Sequence, residues 1–263
     1  MDKRLISFEE DRSPQGELSL ETKVETKSKH KIDANKAKLI TSILVYAVAI
    51  PLIIVMGVFL FNDRKYNLVS ILIAVVSCVP FFITFEKGKT KVRELVIIAV
   101  MTTLSVLGRI IFAPVPGFKP VTAIVIITAI ACGPQAGFIT GALSAVVSDI
   151  FFGQGPWTPF QMCAWGFLGL LSGIVFHKTR NPNWLLLIIM GILGGAVFSF
   201  IMDVWSVFNV DGTWNWARYG ALIVTSAPWI AVYCVSNVVF LLILTRPFIN
   251  KLNRIKDKYE LFQ

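Results

Sequence analysis

Apolar residues in this chain do not alternate with polar ones. They run in long blocks separated by short polar segments. Seven blocks reach or approach the roughly 20 residues that carry an α-helix across about 30 Å of hydrocarbon: Leu39 to Phe61, Tyr66 to Phe85, Leu95 to Ala113, Gln135 to Phe152, Thr158 to Phe176, Trp184 to Phe208 and Tyr219 to Leu244. An eighth, Pro120 to Cys132, is too short to span unaided. Turn-forming residues flank it on both sides, which predicts a tilted helix buried among the others rather than a re-entrant piece. The pattern therefore predicts an all-α integral membrane protein of eight spans with both termini cytoplasmic.

Composition agrees, with 55% hydrophobic and only 16% charged residues. Charge placement supplies the orientation. With the amino terminus inside, the cytoplasmic segments hold nine basic residues before Leu39, four in 86–94, Lys178 and Arg180, and five after residue 245. The outer loops hold Arg64, Lys65, Lys119 and Arg218. This imbalance follows the positive-inside rule, so the net charge of +9 reads as topology. Basic residues that flank spans, instead of lining one folded face, argue against nucleic-acid binding.

Residues 1–38 are rich in Lys, Glu and Ser and lack an apolar core, which predicts a disordered cytoplasmic tail. No signal peptide is expected there, because the charged region is long and no small-residue cleavage site follows the first span. The expected divisions are this tail, a transmembrane hairpin over 39–85, a six-helix core over 93–250 and a cytoplasmic tail over 251–263. The four cysteines, Cys78, Cys132, Cys163 and Cys234, are scattered through apolar segments without CxxC spacing. They read as small buried hydrophobes, with no disulfide or metal site.

The chemistry gathers on one side. The stretch SDIFFGQGPWTPFQM, residues 148–162, places Asp149 about one turn from the outer end of its helix and makes GQGPWTP an extracellular turn. Thr158 reads as the N-cap of the next helix, with Pro159 at its first position and Gln161 completing a capping box. The other outer loops are APVPGFKPVT, which carries Lys119, and NVDGTWNWARYG, which carries Asp211, Trp214, Trp216 and Arg218. Within the spans only Arg109, Asp149 and Asp203 are charged. Counted from Arg93, Arg109 lies roughly 24 Å deep, near the outer face, and Asp203 is five residues from the outer end of its helix. A charge at membrane depth is costly unless paired or functional. Arg109 is thus expected to pair with Asp149 or Asp203. Tryptophans anchor at membrane interfaces by default, but their clustering toward the outer side suits a pocket with flat apolar walls and a few hydrogen-bonding groups.

Catalysis finds little support. His30 and His177 both fall in expected cytoplasmic segments, and there is no HExxH site or GxxxxGK[ST] phosphate loop. The chain reads as a binder or conduit, with neither cofactor nor metal.

The run from Arg93 to Phe176, with PGFKPVTA, GPQAG, SDIFFGQGPWTPFQM and AWG inside it, resembles the S components of energy-coupling factor (ECF) vitamin transporters. It is most similar to the group associated with cobalamin or its precursors, and the likeness extends loosely to about residue 245. The resemblance implies a multi-pass subunit of a prokaryotic cell membrane that captures a vitamin at the outer face. It further implies partners: a transmembrane scaffold subunit and two ATPases that perform the ATP chemistry. The Ala-x-x-x-Ala patch by which such subunits meet the scaffold corresponds here to Ala99 and Thr103, with Thr in place of the second Ala. The hairpin over 39–85 departs from the six-helix plan. Gly137-x-x-x-Gly141, Gly169-x-x-x-Gly173 and Gly191-x-x-x-Gly195 read as internal packing seams.

Residues and resemblance together single out Arg109 and Asp149 as a polar floor and Trp157 and Trp214 as apolar walls. Gln154 and Gln161 would form a hydrogen-bonding rim, with Lys119 and Asp203 beside them. The rival reading is a self-sufficient secondary transporter that uses Asp149 or Asp203 as a proton carrier.

Overall fold

A computed structural model describes residues 92–176, 179, 181–259 and 261, with isolated positions between 44 and 76. All belong to one compact unit, Ser42–Gln263. The described residues form six helices: α1 Val92–Ile111, α2 Val121–Cys132, α3 Pro134–Phe152, α4 Thr158–Val175, α5 Trp184–Asp211 and α6 Trp216–Tyr259. Five of them, all but α2, are long and apolar enough to cross a membrane. The hairpin expected over 39–85 lies almost wholly outside the described residues. Of it, Ile53 and Val76 pack against the α2–α4 core.

The short apolar block became α2, and every one of its twelve residues is buried. A helix of about 18 Å could not present apolar surface across the full bilayer. Its ring of neighbours replaces lipid: Ile124, Ile127 and Ala131 meet α1 and α6 in one cluster, while Val121 and Val125 meet Phe138 and Leu168 in another. Gly133, at φ 96°, ends α2 by donating its N–H to the Ala129 carbonyl, and Pro134 then starts α3 where no intrahelical donor is needed.

Close helix approach depends on glycine. A Cβ on Gly137 would lie 2.8 Å from the Gly169 carbonyl oxygen, and one on Gly141 would collide with the Trp165 carbonyl. The α3–α4 seam is therefore nearly backbone on backbone. Gly195 does the same for α5 and α6, where an added Cβ would meet the Cys234 amide nitrogen at 2.6 Å. Without a hydrophobic driving force in lipid, such packing is what holds helices together. Some buried hydroxyls on these helices bond one turn back, as Thr128 does to Ile124 and Ser172 to Leu168, while those of Thr102, Ser105, Thr140 and Ser144 have no partner.

α6 continues well past Leu244, the expected end of its span, as 44 unbroken residues with Pro228 and Pro247 inside. Its last turns pass through the segment expected to be a tail, where Leu252 is buried in the core and Lys256 donates to the Ala131 carbonyl at the end of α2. Arg93 of α1 stacks on Tyr259 at 4.5 Å. Helical spacing accounts for this: Ile249 and Leu252, three residues apart, share a buried face, while Lys251, Arg254 and Lys258 lie off it, the signature of an amphipathic extension.

Candidate functional site

The outer-side charges form a specific network. Arg109 Nη1 lies 2.7 Å from Asp149 Oδ1 and also donates to the Ser148 hydroxyl. The other carboxylate oxygen, Asp149 Oδ2, accepts from the Thr158 hydroxyl at 2.7 Å. Asp149 is wholly buried, so in low dielectric both its oxygens need such partners. The partnership ties α1, α3 and α4 together. Of the two carboxylates open to Arg109 from sequence, the geometry selects Asp149. Asp203 instead accepts from Ser226 Oγ at 2.9 Å, which joins α5 to α6.

Thr158 itself corrects an expectation. Trp157 occupies the N-cap of α4 without a side-chain cap bond, and Thr158 and Pro159 are its first two helical residues. The capping box with Gln161 does not form, because the Thr158 hydroxyl serves Asp149 and accepts from the Gly155 amide at 3.3 Å. Gln161 is released for another use. Its Oε1 is buried without a hydrogen-bond partner.

Beside this network, between α1, α2, α4, α5 and α6, lies a cavity of about 300 Å³. Arg109, Lys119, Gln161 and Asp203 all line it. The Arg109 guanidinium sits over the rings of Phe152 and Trp165 at 4.8 and 5.1 Å, and Lys119 Nζ lies 5.2 Å from Phe152. Burial pushes the Lys119 ammonium below the usual lysine range, and the charge of Arg109 lowers it further.

The other four expected residues stand elsewhere. Asp149 lies behind Arg109. Gln154 donates to the Val146 carbonyl at 2.7 Å and so closes the end of α3. Trp157 packs edge-on against Trp205 at 5.8 Å. Trp214 joins Trp216 and Tyr219 in an aromatic cluster at the α5–α6 turn, with centroids 4.9 and 5.1 Å away. None of these four lines the cavity.

Against this geometry stands a comparison with known families. The family model for the ECF-type riboflavin transporter S component matches residues 89–254, the whole of the six-helix unit up to the last turns of α6. The chain belongs to this family. A UPF0397 protein of Vibrio atlanticus (strain LGP32) is 29% identical over 94 residues, 34% of this chain and 51% of the relative. The chain thus spans about half the length of that curated relative. No solved structure matches. In keeping with membership of this membrane-transporter family, five of the described helices are long and apolar enough to cross a bilayer.

The S component's cavity also contains residues that sequence reasoning passed over. Trp165 stacks on Phe198 at 5.1 Å and 17°, and Phe198 meets Tyr233 edge-on at 5.6 Å. Together with Trp229 they form the aromatic wall. Trp165 stands four residues after Gln161, one turn along the same face of α4, and a helical projection from Gln161 would have found it. Likewise Ser226, Trp229, Tyr233 and Asn237 follow a helical period on α6.

Ala99 and Thr103 lie on the exposed face of α1, among Val92, Val96, Val100 and Leu107. The Thr103 hydroxyl donates to the Ala99 carbonyl at 2.9 Å. Its polar group is satisfied within the helix, so the face this S component presents is small and apolar.

Proposed function

We propose that this S component captures a ring-bearing vitamin from the outer face and delivers it to a scaffold subunit and two ATPases for uptake. The observation that carries the reading is the cavity beside the Arg109–Asp149 pair, where an aromatic wall faces amide, hydroxyl and charged groups. Flat walls hold a ring system, and a few directional groups fix its orientation. The eight-span topology with both termini inside is part of the proposal and rests on the charge distribution. It places this cavity toward the outside.

The sequence motifs favour cobalamin or a precursor as the ligand. Lys119 would take an anionic substituent, and Gln161 and Asn237 would take peripheral amides. A second reading, a flavin, is favoured by the enclosed volume. About 300 Å³ lies at the small end of ligand sites, enough for a compact fused ring but only for the edge of a macrocycle. The name of the matched family points the same way.

Titration of the purified protein with riboflavin, cobinamide and cyanocobalamin, followed by tryptophan fluorescence, separates the two. Saturable binding of one class at nanomolar to micromolar concentration assigns it, and binding of none would refute both. Proteoliposomes test the transport role. Accumulation of ligand by this chain alone, driven by a proton or sodium gradient, would replace the capture reading with secondary transport. Ala99→Trp or Thr103→Trp should leave ligand binding intact and abolish uptake in cells, because the bulk obstructs helix packing on the scaffold.

A further inference from the structure

A second cavity, of about 550 Å³, lies far from the first. Leu187 on α5 lines it twelve residues before Ser199 of the vitamin cavity, and Thr245 on α6 lines it twelve residues after Tyr233. At 1.5 Å per residue that is about 18 Å along each helix, toward the opposite end of the bundle.

The lining divides into two chemistries. One part is polar: Arg246, Thr245 and the amides of Asn181, Asn183 and Asn250. Among the described residues no carboxylate lines the cavity, and Arg246 brings a positive charge to it. Asn183 uses its side-chain oxygen to accept from the Leu185 amide at 3.0 Å, which leaves its NH2 group as a donor. The other part is apolar, made of Leu187, Leu242 and Ile249, and it adjoins the exposed side chains of Trp184, Leu185 and Ile243.

Thr245 is one of five buried hydroxyls on the described helices without a hydrogen-bond partner, with Thr102, Ser105, Thr140 and Ser144, and of these it alone lines this cavity. It is 1% exposed, and its hydroxyl has no hydrogen-bond partner. Thr103, Thr128 and Thr225, all on helices of this chain, satisfy theirs on the carbonyl one turn back. In a hydrocarbon environment an unsatisfied hydroxyl has no water to turn to, so a partner entering the cavity would remove a real cost.

The geometry points to this cavity as a binding site for an anionic phospholipid. The phosphodiester pairs with Arg246 and accepts from the Thr245 hydroxyl, and the asparagine amides donate to the phosphate and ester oxygens. One acyl chain lies on Leu187, Leu242 and Ile249 and continues along the exposed face into the bilayer. A basic pocket between transmembrane helices at the membrane boundary suits such a headgroup, and Trp184 stands where interfacial tryptophans belong. A free phosphate shares the headgroup chemistry but has no use for the apolar wall.

The test uses the full chain in detergent, with phosphatidylglycerol, phosphatidylcholine and inorganic phosphate as probes. Thermal unfolding and native mass spectrometry report binding. Phosphatidylglycerol should raise the unfolding temperature saturably and bind about tenfold more tightly than phosphatidylcholine, a difference of one charge-assisted contact. Arg246→Gln should erase that preference, and Arg246→Lys should retain most of it. Both variants should keep the lipid-free unfolding temperature of the parent, since the side chain is exposed. Equal binding of the two lipids, unchanged by Arg246→Gln, would overturn the site. Displacement of phosphatidylglycerol by inorganic phosphate, with the same dependence on Arg246, would overturn the lipid as its source. A Thr245→Val variant that gains stability yet binds phosphatidylglycerol as before would overturn the role given to the hydroxyl.

Discussion

Replacing Asp149 with asparagine removes the counter-charge of Arg109 while keeping nearly the same shape. Asp149 is fully buried and Arg109 is 8% exposed, with 2.7 Å between the paired atoms. Water in the cavity can reach only the outer side of Arg109, and the side facing Asp149 is closed to it. The variant also changes the group that accepts from Thr158, but an amide oxygen can still do so. What is lost is the charge. Leaving one member of such a pair uncompensated costs about 3–5 kcal/mol, whereas replacing both by well-packed apolar residues is often neutral. Asp149→Asn and Arg109→Met should each lose about 3 kcal/mol, and the double variant Arg109→Met/Asp149→Asn should stay within about 2 kcal/mol of the parent. In thermal unfolding that is a drop of roughly 6–12 °C for each single variant and less for the double. Reversible denaturation in detergent gives the free energies, and the cycle isolates the pair from the separate contacts each residue makes. Costs that simply add in the double variant would refute the coupling. Single variants as stable as the parent would show that the pair contributes nothing to the fold.

Three further predictions concern the walls, the cation and the seam. Trp165→Ala should weaken ligand binding by about 1 kcal/mol or more through lost stacking, whereas Trp157→Ala, which removes a contact with Trp205 instead, should leave the dissociation constant unchanged. Because the Lys119 ammonium is held below the usual lysine range, an anionic ligand should lose affinity at a lower alkaline pH than an unperturbed lysine would give, and Lys119→Met should flatten that part of the pH profile. Gly141→Ala forces a methyl group into the backbone of α4 and should cost about 1–3 kcal/mol in unfolding, while Gly220→Ala, where nothing lies within 4 Å, should not destabilise.

Much of this was legible because membrane constraints write themselves into sequence. A helix in lipid must satisfy its backbone internally and show apolar residues around its circumference, and the blocks that became α1, α3, α4 and α5 report that directly. The end of α6 was less legible. Hydropathy drops after Leu244, so a window tuned to lipid sees a tail, whereas the helix continues and buries Ile249 and Leu252 in the cluster that holds residues of α1 and α2. Half of the expected site residues reach the cavity, and the reason is chemical. Charged and amide groups buried in a span are expensive, which made Arg109, Gln161 and Asp203 conspicuous, and Lys119 stood out as the lone cation of its outer loop. Aromatic residues carry no such mark. Trp157 and Trp214 drew attention by standing in polar loops, but each is taken up by a neighbouring aromatic, while Trp165, Trp229 and Tyr233 looked like ordinary apolar positions. Pairing cannot be read from types alone either, since Asp149 and Asp203 were equal candidates for Arg109 until the helices were placed.

The contacts around the cavity divide it between two sets of helices. On one side, the α3–α4 glycine seam and the Arg109–Asp149–Thr158 chain fasten α1, α3 and α4 with backbone approach and buried charge. On the other, Gly195 against Cys234, Asn237 donating to the Gly191 carbonyl and Ser226 donating to Asp203 fasten α5 to α6. Arg109, Gln161 and Trp165 reach the cavity from the first set, and Phe198, Asp203, Trp229 and Tyr233 from the second. A ligand seated there must touch both. Its binding free energy is thereby spent partly on holding the two sets together, and a conformation in which they separate is disfavoured by as much as the ligand prefers the closed one. Release then requires something that favours separation by a comparable amount. Under the proposed delivery to a scaffold, that contribution would come through an exposed surface, and the small apolar face around Ala99 and Thr103 belongs to α1, the helix that also carries Arg109.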